Sequence, residues 1–232
     1  MPPQHTAGLI RLGIVALPLA GLLKLAGQFG TFNSVGLGVP DREAARVVSG
    51  TGFFVGEFAG SILPVILTIF GVIALFAYLA PLPAGRWATA ALVSSIAGLA
   101  LILPALGVLN YAFPAIGRAY LAGQEDAFGI ADAFFQLPWL AIFFPAFLYP
   151  GGTILFGIGI WRSGALPRWA GVLYALSGLF LAFPLPIHLL RVVGAVIVVL
   201  GGGGIAVGVR RRPAIEALAD GGTGQGTAGG GG

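Results

Sequence analysis

Six stretches of this chain are apolar for about as long as a helix needs to cross a bilayer, and that dictates most of what it can fold into. A hydrocarbon core of about 30 Å takes about 20 residues of α-helix at about 1.5 Å each. Runs of this kind lie at Leu9–Phe29, Phe53–Leu79, Ala88–Ala112, Pro138–Trp161, Trp169–Leu185 and Leu189–Val209. They are apolar on every face, whereas a membrane strand alternates over about 10 residues. The expectation is therefore all-α: a polytopic membrane protein, a bundle of six transmembrane helices with both termini cytoplasmic. Only 9% of the residues are charged, against about 25% in a soluble domain. With a mean hydropathy of +0.97, the chain cannot cover an ordinary water-facing surface. The membrane domain takes residues 1–212. Residues 213–232 follow Arg212 as a glycine-rich C-terminal tail that is expected to be disordered.

The cations set the orientation. With six spans, one side carries Arg11, Arg86, Arg162, Arg168, Arg210, Arg211 and Arg212, and the other carries Arg42, Arg46, Arg118 and Arg191. The richer side is cytoplasmic by the positive-inside bias. Trp87, Trp161 and Trp169 fall beside arginines at inner boundaries and Trp139 at an outer one, where indole is at home. The first run could pass as a signal peptide, with Leu25-Ala26-Gly27 as a weak cleavage site. Arg11 alone makes a poor basic region, so retention of the span is expected. Two outer loops are long. Gly30–Gly52 reads as a short amphipathic helix after Pro40 with Asp41 in its first turn. Phe113–Leu137 reads as a helix lying on the outer surface.

Several chemistries are excluded or disfavoured. The chain has no cysteine and two histidines, His5 and His188, in no metal-binding spacing. No nucleophile–base set and no paired intramembrane carboxylates are visible, so neither an enzyme nor a cofactor is expected. The net charge of +4 belongs to span ends, not to a nucleic-acid surface. The bilayer is the partner the composition demands. A lipid or apolar small molecule, a second copy of the chain or a membrane partner subunit remain open.

Ionisable groups within a span mark function by default. Lys24 and Glu57 each sit about five residues from the outer ends of the first and second spans, which places them at similar depth and suggests an ion pair. That pair reads either as a structural contact near the interface or as an outward-facing polar pocket. Asn110, His188 and Arg191 lie at the same level, together with Gln28, Tyr111, Arg118, Asp132 and Gln136. They read either as interfacial decoration or as a vestibule in which Arg191 and Arg118 receive an anionic group. Gly52, Gly56 and Gly60 repeat at the spacing that lets helices approach closely. Pro145 and Tyr149-Pro150-Gly151-Gly152 suggest a broken fourth span. The inner half offers only Thr68, Ser94, Ser95 and Ser177, too little to line a hydrophilic path. The competing functions are a non-catalytic binding or partner-associating bundle, a small secondary transporter using Lys24 and Glu57, and an assembly subunit.

The loop Trp161-Arg162-Ser163-Gly164-Ala165-Leu166-Pro167-Arg168-Trp169-Ala170-Gly171, with Ala74-Leu75-Phe76-Ala77-Tyr78-Leu79 before it, resembles a signature of uncharacterised multi-pass membrane proteins of high-GC bacteria, a domain of unknown function. The resemblance spans residues 50–210. It implies a helical bundle in a bacterial plasma membrane and implies no activity.

Overall fold

The computed structural model describes residues 3–29, 41–127, 129–130, 147–182 and 188–211. Among these, seven helices follow one another: α1 (Pro3–Gly27), α2 (Asp41–Ser49), α3 (Thr51–Leu79), α4 (Gly85–Leu121), α5 (Leu148–Ser163), α6 (Arg168–Ala182) and α7 (His188–Arg211). No strand occurs among the described residues. Four stretches are long and apolar enough to cross a membrane: Thr6–Gly27, Thr51–Leu79, Gly85–Leu121 and Leu189–Arg211. The described parts of α5 and α6 have 16 and 15 residues, short of the roughly 20 that a span takes. The glycine-rich tail, Trp139 and Pro145 lie outside the described residues.

The long helices close into a ring. α1 packs on α3, α3 on α4, α4 on α5, α5 on α6, α6 on α7, and α7 returns to α1. The first run is thus a wall of the bundle. Glycine makes close crossings in this ring, and at one of them a Cβ on Gly60 would lie 2.8 Å from the Cα of Gly27, so the backbones of α1 and α3 touch with no side chain between them. Gly13 and Leu17 of α1 meet Ala74 and Gly71 of α3, which makes the two helices antiparallel. Around the outside, Leu9, Leu12, Phe70, Val93, Leu200 and Val207 are between 47% and 71% exposed. An apolar exterior of that extent is compatible with a hydrocarbon surrounding.

The two ends of the ring differ. At one end, Ile14 and Leu17 of α1 join Val72, Leu75 and Leu79 of α3, Ala88 and Ala91 of α4, Phe156 and Ile160 of α5, Tyr174 of α6 and Ile205 and Val209 of α7 in a single buried apolar core. The rim of this end carries Arg11, Arg86, Arg162, Arg168, Arg210 and Arg211, with no acid among the described residues. Arg162 lies 5.2 Å from the Trp87 ring centre and Arg168 lies 5.2 Å from that of Trp161, so cation–π contacts tie the ends of α4, α5 and α6 together. Gly164, at φ 60°, ends α5 in the left-handed conformation that glycine adopts freely. The opposite, mixed end carries both signs of charge.

Several sequence expectations are met and others are corrected. Asp41–Ser49 is the short amphipathic helix. Its Ala44, Ala45 and Val48 are buried, with Ala45 and Val48 beside Gly117 of α4, while Arg42, Glu43 and Arg46 are exposed. Phe113–Leu121 is not a separate surface helix. It continues α4, whose 37 residues measure about 56 Å at 1.5 Å each, well beyond the hydrocarbon. The stretch before Phe147, with Pro145, lies outside the described residues, so the expected break in the fourth span is seen only from the Tyr149–Gly152 side. Tyr149–Gly152 is the first turn of α5, where the missing N–H of Pro150 has no helical acceptor to lose. Of the three spaced glycines only Gly60 makes a crossing, and a Cβ on Gly52 or Gly56 would meet nothing within 4 Å. The reason is that the described helix of α1 ends at Gly27, opposite Gly60, and so does not reach the other two.

Two wide turns interrupt the helices at the mixed end: π-helical Phe58–Ile62 in α3 and Val108–Ala112 in α4. Each is followed within two residues by a proline, Pro64 and Pro114. A helical proline clashes with the carbonyl four residues back, here Gly60 and Asn110, and a wider turn relieves that clash.

Gly60→Ala forces a methyl against the α1 backbone and is expected to destabilise the protein by about 1–3 kcal/mol. Gly56→Ala, with open space around it, is expected to be neutral or stabilising by up to about 1 kcal/mol. Unfolding of both variants in detergent, followed by circular dichroism, checks the contrast.

Candidate functional site

Polar side chains gather inside the mixed end of the ring, contributed by α1, α3, α4 and α7. Lys24 and Gln28 are one turn apart on α1, and the Gln28 side-chain amide donates to the Lys24 carbonyl at 3.4 Å. Glu57 closes the last α-helical turn of α3 before the wide turn and is buried at 6% exposure. One turn further on, the Ser61 hydroxyl donates to its carboxylate. Asn110 sits in the wide turn of α4 at 0% exposure, in a segment that packs on Thr51–Glu57. Arg191 lies in the first turn of α7. It is half-buried, and its Nε is fully covered without a hydrogen-bond partner among the described residues.

Helix register fixes the relative heights. Gly27 is opposite Gly60, so Glu57 stands about 9 Å nearer the end of the ring than the Cα of Lys24, at 1.5 Å per residue. The equal depth expected from sequence is corrected accordingly: the long lysine side chain has to climb toward the carboxylate. It does so to the extent that Lys24 interacts electrostatically with Glu57 and with Arg191. α7 meets α1 at Gly202 beside Pro18 and at Val199 beside Gly21, which sets Arg191 level with the end of α1. Among the described residues the group therefore contains two cations for one carboxylate.

Asn110 is the anomaly. Both its side-chain oxygen and its side-chain nitrogen are buried with no hydrogen-bond partner among the described residues. A buried amide without partners forfeits about 1–3 kcal/mol, and packing alone would favour leucine at this position. Ser95 Oγ is likewise buried with no hydrogen-bond partner among the described residues, whereas three other interior hydroxyls are occupied. Thr68 donates to the Pro64 carbonyl at 2.7 Å, Thr153 to Pro150 at 2.9 Å and Ser177 to Tyr174 at 2.6 Å. Each is occupied by its own helix, so none of them is turned to a solute path.

The other residues singled out from sequence divide. Arg118 is exposed and two turns past Asn110 on the projecting part of α4, about 12 Å along the axis, so it does not join Arg191 in one vestibule. Tyr111 is 61% exposed and stacks edge-on to Phe54 at 5.6 Å on the outside of the α3–α4 seam. The backbone of His188 opens α7, one turn before Arg191, and its side chain lies outside the described residues, as do Asp132 and Gln136. Sequence reasoning missed Ser61, although its position four residues after Glu57 is a usable signal. Among the described residues, no three histidine, cysteine or carboxylate side chains gather as a metal site. Chemically, the arrangement can receive an anionic group between Lys24 and Arg191, satisfy an amide-matching partner at Asn110 and hold a proton or cation at Glu57.

Asn110→Leu is expected to leave the protein folded and to hold or raise its stability by up to about 1–3 kcal/mol, read by unfolding in detergent. A double-mutant cycle of Lys24→Met and Glu57→Gln is expected to return a coupling of about 0.5–3 kcal/mol, and a value of zero would mean the two charges do not interact. Compared with protein-family models, with curated proteins and with solved structures, the chain matches none, so its function has to be read from this geometry.

Proposed function

We propose that this chain is a non-catalytic binding protein of a bacterial plasma membrane. In this reading six spans place both ends of the chain in the cytoplasm, and a small organic anion or zwitterion enters from the outer side to reach Lys24, Glu57, Asn110 and Arg191. The observation that carries the reading is the group of polar side chains gathered at the mixed end, Lys24, Glu57, Asn110 and Arg191, in which the fully buried Asn110 amide has no hydrogen-bond partner among the described residues. In this reading the ligand is received from one side only, because the interior lacks the lining of a channel. The six-span count is supported by the places of α5 and α6 as full members of the ring, between long neighbours. Orientation is supported by the six arginines on the apolar end and the positive-inside bias. The bacterial membrane rests on the resemblance of the Trp161–Gly171 loop.

A second reading, a small secondary transporter, is favoured by one observation. The two wide turns, Phe58–Ile62 and Val108–Ala112, stand beside the polar group on adjacent helices, and such turns recur at functional sites. Transport would require the apolar core of the other end to part.

Thermal-shift titration with glutamate, lactate and glycine betaine tests binding. A ligand of the site raises the unfolding temperature of the native chain, by mass action on the folded state, and fails to raise that of Asn110→Leu. Equal shifts in both proteins overturn the reading. Uptake of the same compound into proteoliposomes, lost in Glu57→Gln, moves the assignment to the transporter.

A further inference from the structure

The four consecutive glycines of α7 do not have the same job. A Cβ on Gly201 would strike the backbone of Tyr174 in α6, one on Gly202 would strike Pro18 and Leu17 in α1, and one on Gly204 would strike the Trp169 ring. These three are explained by close packing on both sides of α7. Gly203 is not: a Cβ there would meet nothing within 4 Å. Glycine inside a helix is less stable than alanine by about 0.5–1 kcal/mol, so packing gives no reason for its presence. Gly203 does, however, form part of the floor of a surface groove between α6 and α7.

That groove has a volume of about 420 Å³. Its walls are apolar, with Val199, Leu200 and Val207 along α7 and the Trp169 indole toward the arginine-rich end, where Arg211 closes it. From Val199 to Arg211 it runs about 18 Å at 1.5 Å per residue, close to the roughly 15 Å of one hydrocarbon leaflet. The apolar length therefore extends from the headgroup level toward the midplane, and the cation stands where a headgroup would be. Arg210 and Arg168 are at the same rim, and no acid accompanies them among the described residues. The companion groove between α5 and α6 has Arg162 at its mouth, but that guanidinium already lies over Trp87 and Arg168 lies over Trp161. Arg211 has no such aromatic partner among the described residues.

We infer that the α6–α7 groove is a binding site for one anionic phospholipid, with an acyl chain laid over Gly203 and between Trp169 and Leu200, and the phosphate paired with Arg211. Basic positions at the ends of membrane helices hold anionic headgroups in this manner, and an indole at the same depth suits the interface. The site is independent of the polar group at the other end of the bundle, and goes beyond the proposed ligand function.

Native mass spectrometry of the detergent-purified protein, titrated with phosphatidylglycerol or with phosphatidylcholine of identical chains, tests the inference. The native chain is expected to retain phosphatidylglycerol in preference, as one bound molecule at low lipid. Arg211→Gln is expected to lower that preference about fivefold, the factor one basic residue contributes at an anionic surface, while chain binding persists. Gly203→Leu, whose Cβ would meet nothing within 4 Å, fills the floor and is expected to abolish the bound lipid of both kinds. If Gly203→Leu does not fold, Leu200→Trp, whose position is 52% exposed on the groove wall, obstructs the groove from its edge with the same expected outcome. Equal retention of the two lipids by the native chain, or undiminished phosphatidylglycerol binding with the groove filled, overturns the inference.

Discussion

The contact between Gly27 and Gly60 governs the geometry of the mixed end. Two backbones meet there without intervening side chains, and that sets how closely α1 and α3 cross and in what register. Lys24 is fixed one turn below this crossing and Glu57 one turn above it. A bulkier residue at either glycine would move the two charges apart as well as loosen the wall, so the stability of the ring and the composition of the polar group rest on the same contact. Van der Waals packing of small residues is the force available for this, since lipid tails give apolar side chains no reason to prefer one another.

Much of the architecture was legible because the bilayer imposes length and polarity on a sequence so directly. The ends of α3 and α7 fall within two residues of the apolar runs that announce them, and the amphipathic pattern of Asp41–Ser49 is as plain in the letters as in the burial. What failed to show in the letters depended on neighbours. The glycines at 52, 56 and 60 look equivalent until the described partner helix is found to end at Gly27. Pro150 reads as the middle of a long apolar run, and among the described residues it stands in the first turn of α5. The residues after Ala112 read as a separate helix lying on the outer surface, but the proline at 114 widens a turn without ending α4. Asn110 looked like a boundary residue because its polarity matched the end of an apolar run. Its burial comes from α4 continuing past it, with α2 packed on the extension.

The polar group and the apolar core also divide the molecule energetically. The core end is well packed and bound together by arginine–tryptophan contacts at its rim. The other end holds an amide without a partner among the described residues, a buried carboxylate and two helices distorted by proline. Native proteins tolerate such local losses where function needs them, and the rest of the fold supplies the compensation. The polar group is what makes the mixed end the place to look for a ligand, since no packing argument accounts for Asn110.

The hydroxyls of Thr68, Thr153 and Ser177 carry a wider lesson about how such sequences are scored. Each has folded its hydrogen back onto a carbonyl of its own helix, so its outward aspect is that of a small hydrocarbon. Scales that tally these letters as hydrophilic overstate the wetness of the bundle's middle, and a chain of this kind is drier at its waist than its spelling suggests.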